Sequence, residues 1–137
     1  MRWKARRDAT DAAPIDQTGF VVTITYVYRM PPDRVDEFVR IQRAAAAIYV
    51  EHGAVDDETL VATDVSPRYG CRGLGEAIGA GTGEAVLIGL SRFRDRAHHD
   101  EVMERVNADP RIDDLFAEVG DVIRIDQIAR GEFERIV

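Results

Sequence analysis

Two segments of this chain, residues 20–29 and 84–93, carry more apolar surface than a sheet with one wet face tolerates. In the first, Phe20, Val22, Ile24, Tyr26 and Tyr28 fall on one side of an extended chain, while Val21, Thr23, Thr25 and Val27 fall on the other. The second contains Ala85-Val86-Leu87-Ile88-Gly89-Leu90, and such continuity marks a central strand buried on both faces. An antiparallel sheet exposed on one side alternates cleanly between apolar and polar positions. These segments do not, so both faces of the sheet they build need cover.

The intervening sequence supplies helices. Pro31-Pro32 stops the first strand and opens a helix, where a missing N–H costs little. Asp33, Asp36 and Glu37 follow, near the positive end of the helix dipole. The helix is expected over 33–52, with Val35, Phe38, Ile41, Ala45, Ile48 and Tyr49 as its buried stripe and Arg34, Arg40 and Arg43 turned outward. Gly53 stands where a left-handed C-terminal cap is wanted, and His52 is a favourable cation on the helix's negative pole. A second strand is expected over 55–65. Residues 66–83, with six glycines in 18 residues, read as a long, flexible, irregular connection. After the 84–93 strand, Asp95 is a good N-cap for a helix ending near Asn107, whose inward stripe is His99, Val102, Met103 and Val106. Asp109-Pro110 breaks that helix. A short helical turn through Ile112, Leu115, Phe116 and Val119 follows, then a last strand over 122–130 and a tail over 131–137.

The order strand–helix–strand, loop, strand–helix–strand is the split βαβ pattern: a ferredoxin-like α+β fold, with both helices on one face of a four-stranded antiparallel sheet. The other face is then bare. A second copy of the chain, packed sheet against sheet about a two-fold axis, is the simplest cover. The expectation is a homodimeric α/β barrel with an interface at or above the standard size of about 1,600 Å².

Several segments resemble the YbaA-like family of small bacterial proteins: Gly19-Phe20-Val21-Val22, Asp64-Val65-Ser66-Pro67, Ala108-Asp109-Pro110-Arg111-Ile112 and Gly131-Glu132-Phe133-Glu134-Arg135-Ile136-Val137. The resemblance runs over residues 19–137 and implies a dimeric ferredoxin-like barrel. It implies no activity, since that family is a domain of unknown function with no catalytic residues to carry over. The chain departs from it near the second strand, where members have a Gly-Lys pair and aromatic residues. No Lys follows Lys4 here, and the region reads Tyr69-Gly70-Cys71-Arg72-Gly73.

Composition narrows the function. The 137 residues suit one domain over 19–137, preceded by a flexible leader over 1–18 that lacks periodicity. A net charge of −7, from 18 Lys+Arg against 25 Asp+Glu, argues against nucleic acid as a partner. The basic cluster Arg2, Lys4, Arg6 and Arg7 is nearly neutralised by Asp8, Asp11 and Asp16. The longest apolar run, residues 44–50, is far short of the roughly 18 residues that span a bilayer, so no membrane partner is expected. One cysteine and no apolar leader suit a cytoplasmic protein.

Candidate chemistry is sparse. Gly73-Leu74-Gly75-Glu76-Ala77-Ile78-Gly79 superficially matches a dinucleotide-binding turn, but its third glycine is one residue late and a strand follows instead of a helix. No cofactor is implied. Cys71, between Arg68 and Arg72, is a possible reactive thiol because nearby positive charge favours the thiolate; the simpler reading is a free loop thiol without a role. His98 and His99 are adjacent on a helix and about 100° apart, so they cannot share a metal from one turn, and no metal is expected. His99 falls on the apolar stripe, either as a core-edge imidazole bonded to backbone or to a carboxylate such as Asp95, or facing a cavity between helix and sheet. Tyr26, Tyr28 and Tyr49 approach the same space; as core residues they simply pack, but their hydroxyls can also orient a small aromatic ligand. His99 and these tyrosines are therefore the candidate ligand-binding residues for a small apolar or aromatic molecule. Two other expectations stand beside that one. The protein is a cofactor-independent monooxygenase-like enzyme, on fold analogy alone, or it is a structural or protein-interaction module.

Overall fold

A computed structural model describes residues 19–137; the leader expected over 1–18 lies outside the described residues. Strand β1 (Val22–Met30) ends at Pro31, and Pro32–Arg34 form a single 3-10 turn that feeds helix α1 (Val35–Glu51). The chain returns through β2 (Asp56–Val61). A connection containing the short helix α2 (Leu74–Ala77) leads into β3 (Ala85–Phe93). Helices α3 (Arg96–Asn107) and α4 (Pro110–Val122) follow, then a 3-10 turn at Ile125–Gln127 and the last strand, β4 (Ala129–Glu134).

The four strands form one antiparallel sheet in the order β2-β3-β1-β4. The two strands that are apolar on both sides are therefore the central pair, as a split βαβ order requires. The outer strands are polar and short. This is an α+β fold with four helices rather than the two expected.

Local chemistry explains most boundaries. Gly53 has a φ of +114°, which ends α1 in the region that side chains with a Cβ avoid. The Asp95 carboxylate accepts from the His98 backbone N–H at 2.8 Å and caps α3. Asp109 does the same for α4, accepting from the Arg111 N–H at 3.0 Å, while Pro110 takes the first helical position. The pair expected to end one helix thus also begins another. In place of a short turn, α4 runs 13 residues, because Ile112, Leu115, Phe116, Val119 and Val122 keep helical spacing to its end. The strand expected over 122–130 is corrected accordingly: β4 begins at Ala129 and includes most of what reads as a tail. Its sequence Ala-Arg-Gly-Glu-Phe-Glu has little strand propensity. Pairing with β1 holds it in place.

One face of the sheet is covered. Val22, Ile24, Tyr28 and Met30 of β1, with Leu87 and Phe93 of β3, meet Phe38 and Ile41 of α1, Val102 and Val106 of α3 and Val119 of α4. Phe38, fully buried and edge-on to Tyr28 at 4.6 Å between ring centres, contributes roughly 1.5–3 kcal/mol by its burial. Of the stripe expected on α3, Met103 is only half-buried, whereas His98 is buried alongside His99.

The opposite face carries Thr23, Thr25 and Val27 of β1 beside Ile88 and Leu90 of β3, all half-buried, with Leu60 and Phe133 exposed on the outer strands. Phe20 breaks the alternation expected of it. Its ring lies under the guanidinium groups of Arg92 and Arg135, at 5.2 and 4.3 Å, two cations that draw it away from the covered core. The 66–83 connection is also more ordered than a flexible linker. Gly73 and Gly75 are buried against Val65 and Pro67, where a Cβ would come within 2.5–2.9 Å of the neighbouring atoms. Absence of side chains, rather than flexibility, is what those two glycines supply.

Candidate functional site

Between the covered face of the sheet and helices α1 and α4 lies a cavity of about 140 Å³. Tyr26 and Tyr28 reach it from β1, and Tyr49 from α1. Its remaining walls are apolar, chiefly Ile41 and Ala45 of α1 and Ile112, Leu115 and Val119 of α4. One glycine in the wall makes room for Tyr28. Gly89 sits opposite Tyr26 in the β1–β3 register and opposite Thr59 in the β2–β3 register. A Cβ there would come within 3.2 Å of the Tyr28 ring and hydroxyl.

The polar groups are few and mostly engaged. Gln42 Nε2 donates to the Tyr28 hydroxyl oxygen at 3.2 Å and lies 3.5 Å from Thr59 Oγ1. Arg130 of β4 donates from Nε to the Tyr26 hydroxyl oxygen at 3.1 Å, with its guanidinium 5.6 Å from the Tyr26 ring centre. Tyr26 and Tyr28 stack with centres 6.1 Å apart. Asp57 of β2 and its register partner Ser91 of β3 also line the cavity, and the Ser91 hydroxyl donates to Asp57 Oδ2.

This setting changes the acidity of its members. Burial pushes the Asp57 carboxyl up to about 6, because a charge removed from water is disfavoured, and the Ser91 hydrogen bond offsets only part of that. Burial pushes the Tyr49 phenol up to about 12 and raises Tyr28 as well, and the Asp57 charge adds to both shifts. Tyr28 and Tyr49 therefore stay protonated near neutral pH, whereas Asp57 titrates close to it. A carboxyl poised in this way inside an apolar cleft is a feature of sites that move protons.

The residues singled out from sequence divide into two groups. Tyr26, Tyr28 and Tyr49 come together in the cavity. His99 does not line it: buried under α3, its ring stands edge-on to Phe93 at 4.9 Å, and Nδ1 lies 2.8 Å from Asp100 Oδ1 and 3.3 Å from Arg96 Nη1. Its carboxylate partner is Asp100 instead of Asp95. Cys71 is exposed in the connection between β2 and β3. His52 sits at the end of α1 with Nε2 2.8 Å from Asp109 Oδ2. Glu51, His52 and Asp109 form a cluster of potential metal ligands, but the Arg111 guanidinium already bridges both carboxylates, and Arg105 reaches the His52 carbonyl at 2.7 Å. This network ties α1 to α3 and α4.

Asp57, Ser91, Gln42 and Gly89 are the cavity residues that the sequence does not announce. Asp57 stands between Asp56 and Glu58, and an acidic triplet at the start of a weak strand reads as solvated surface. Strand alternation is the available signal. Asp56 and Glu58 turn to the open face and both bind Arg92 at 3.0 Å, which leaves Asp57 facing inward.

Fold and site together define a small α+β protein with a tyrosine-lined cavity between its helices and its sheet. The profile of the DUF1428 family, described as a protein of unknown function, matches residues 22–121, and the chain belongs to that family. No curated protein matches the sequence. Among the described residues no helix is long and apolar enough to cross a membrane.

Proposed function

We propose that this protein binds a small aromatic molecule in the cavity between α1, α4 and the sheet. The observation that carries the reading is the convergence of Tyr26, Tyr28 and Tyr49 with Asp57 and Ser91 on one otherwise apolar space. Ligand sites are commonly built in this way, with apolar walls and a few placed polar groups that set orientation. A volume of about 140 Å³, in a pocket that opens to solvent, suits one or two fused rings. Aromatic rings on two sides offer stacking partners, and the hydroxyls and carboxyl select compounds with their own hydroxyl or carbonyl groups.

The protein acts as a homodimer in this reading, a ferredoxin-like barrel closed sheet to sheet, like the YbaA-like proteins it resembles. The support is the open face. Its centre, Thr23, Thr25, Val27, Ile88 and Leu90, carries no charge, and Arg92 at its margin is neutralised by Asp56 and Glu58. Such a surface is self-complementary about a two-fold axis.

Thermal-shift measurements with phenol, 2-naphthol and 1,4-naphthoquinone test the ligand. A concentration-dependent rise in Tm with at least one of them is expected, because a ligand of the native state stabilises it by mass action. No shift with any of them at millimolar concentration would remove the reading.

A further inference from the structure

The hydrogen bonds around the cavity leave an acceptor and several donors unspent. The Ser91 proton goes to Asp57 Oδ2, which leaves Oδ1 to take another. The Tyr28 oxygen receives its hydrogen bond from Gln42 and the Tyr26 oxygen from Arg130, so each phenol keeps its own proton for a further acceptor. No side chain among the described residues hydrogen-bonds the Tyr49 hydroxyl. A carboxylate acceptor and phenolic donors therefore border one apolar space, and a ligand satisfies both when it carries an acidic hydrogen next to an oxygen acceptor.

Resting on the reading of this cavity as a ligand site, the geometry points to a proton-transfer activity without a cofactor: Asp57 removes a proton from the carbon beside the carbonyl of a small aromatic ketone, and the Tyr28 and Tyr49 hydroxyls hold the enolate oxygen that forms. In the forward step the C–H electron pair becomes the carbon–carbon double bond and the carbonyl π pair moves onto oxygen, while the proton moves to Asp57. In the return step the Asp57 carboxylic acid, whose proton exchanges with water while the enolate is held, gives a proton to that carbon or, in a conjugated ketone, to the far carbon of the system. The second route yields an isomer. Nothing is oxidised or reduced, and protons balance among substrate, carboxyl and the water that exchanges with it.

The surroundings suit both halves of the cycle. A base works best when its acidity lies near the working pH, and burial brings Asp57 to about 6. Donors held in place by the fold stabilise a developing oxyanion with little reorganisation. The groups that face Asp57 are Ser91 from β3, Tyr26 and Tyr28 from β1 with Arg130 of β4 behind them, and Tyr49 from α1. Asp56, Glu58 and Arg92 lie on the far side of the sheet. The residues that α4 presents to the cavity, Ile112, Leu115, Phe116 and Val119, are not titratable.

Deuterium exchange into 2-indanone in D2O, followed by proton NMR with the full chain, tests the proposal, and saturation-transfer NMR reads binding of the same ketone. Expected are exchange above the buffer rate, a rise with pH through about 6, and a loss of about 100-fold in Asp57→Asn with ketone binding kept. Tyr49→Phe should slow exchange by about 10-fold through loss of one oxyanion donor. Bound ketone that exchanges no faster than in buffer, or an Asp57→Asn protein as fast as wild type, overturns the proposal and leaves the ligand site standing. Binding of phenols without binding of the ketone overturns the substrate class. Absence of binding by the ketone and by every phenol and quinone tested removes the ligand site and the activity together.

Discussion

Asp57 and Ser91 face each other across β2 and β3, and the serine hydroxyl donates its proton to the carboxylate at the edge of an apolar cavity. A single hydrogen bond does not replace the water that burial removes, so this carboxyl stays hard to ionise.

The pair has a consequence for stability. The folded-state value of about 6 lies above the ordinary value of 3.8, so the folded protein holds this proton more tightly than the unfolded chain does. Ionisation therefore costs stability, beginning as pH rises past about 4 and complete above about 6. The full loss is on the order of 3 kcal/mol. Urea denaturation across pH 4–8 should show this decline in wild type relative to Asp57→Asn, which retains an oxygen for Ser91 but cannot ionise. Parallel profiles for the two proteins would contradict the assignment.

Gly89 lets Tyr28 pack closely into the cavity wall. Gly89→Ala places a methyl group 3.2 Å from the Tyr28 ring and hydroxyl, displacing the tyrosine and weakening its bond to Gln42. Calorimetric titration should give at least about 10-fold weaker ligand binding, while stability changes by only about 1 kcal/mol. Unaltered affinity would place the ligand elsewhere.

The N-cap of α3 is separable from the site. Asp95→Ala removes the acceptor for the His98 N–H and should cost about 1 kcal/mol in chemical denaturation, with ligand affinity unchanged. A matching loss of affinity would mean that α3 shapes the cavity.

The open sheet face predicts assembly. Sedimentation should find a dimer at micromolar concentration, and Ile88→Arg, which sets a charge among Val27, Leu60 and Leu90, should give a folded monomer. A wild-type monomer at that concentration would remove the barrel.

How much of this was legible in the sequence depends on how strongly each element is patterned. The central strands and α1 carry long periodic apolar runs, and the structure has them close to their expected places. Strand β4 has no such pattern: Arg130, Glu132 and Glu134 alternate with Ala129, Gly131 and Phe133, and only pairing to β1 makes it a strand. Val122 and Ile123 invite a strand, but they end α4 because Val119 and Val122 share its inward face. Asp57 was hidden for a related reason. Three consecutive acids look like surface until the alternation of β2 assigns two to Arg92 and one to the interior. His99 lies on an apolar helix face, as its spacing requires, yet periodicity along one helix does not say which neighbour that face meets. Its neighbour is Phe93, outside the cavity.

The tyrosine rings offer the most direct test of the ligand site. The chain has four tyrosines: Tyr26, Tyr28 and Tyr49 line the cavity, and Tyr69 stands 71% exposed in the connection between β2 and β3. In a carbon–proton NMR titration with 2-naphthol, saturable shifts are predicted for the ring signals of the first three, with Tyr69 unmoved. Shifts that fail to saturate, or that affect Tyr69 as strongly as the others, would contradict a ligand site between helices and sheet.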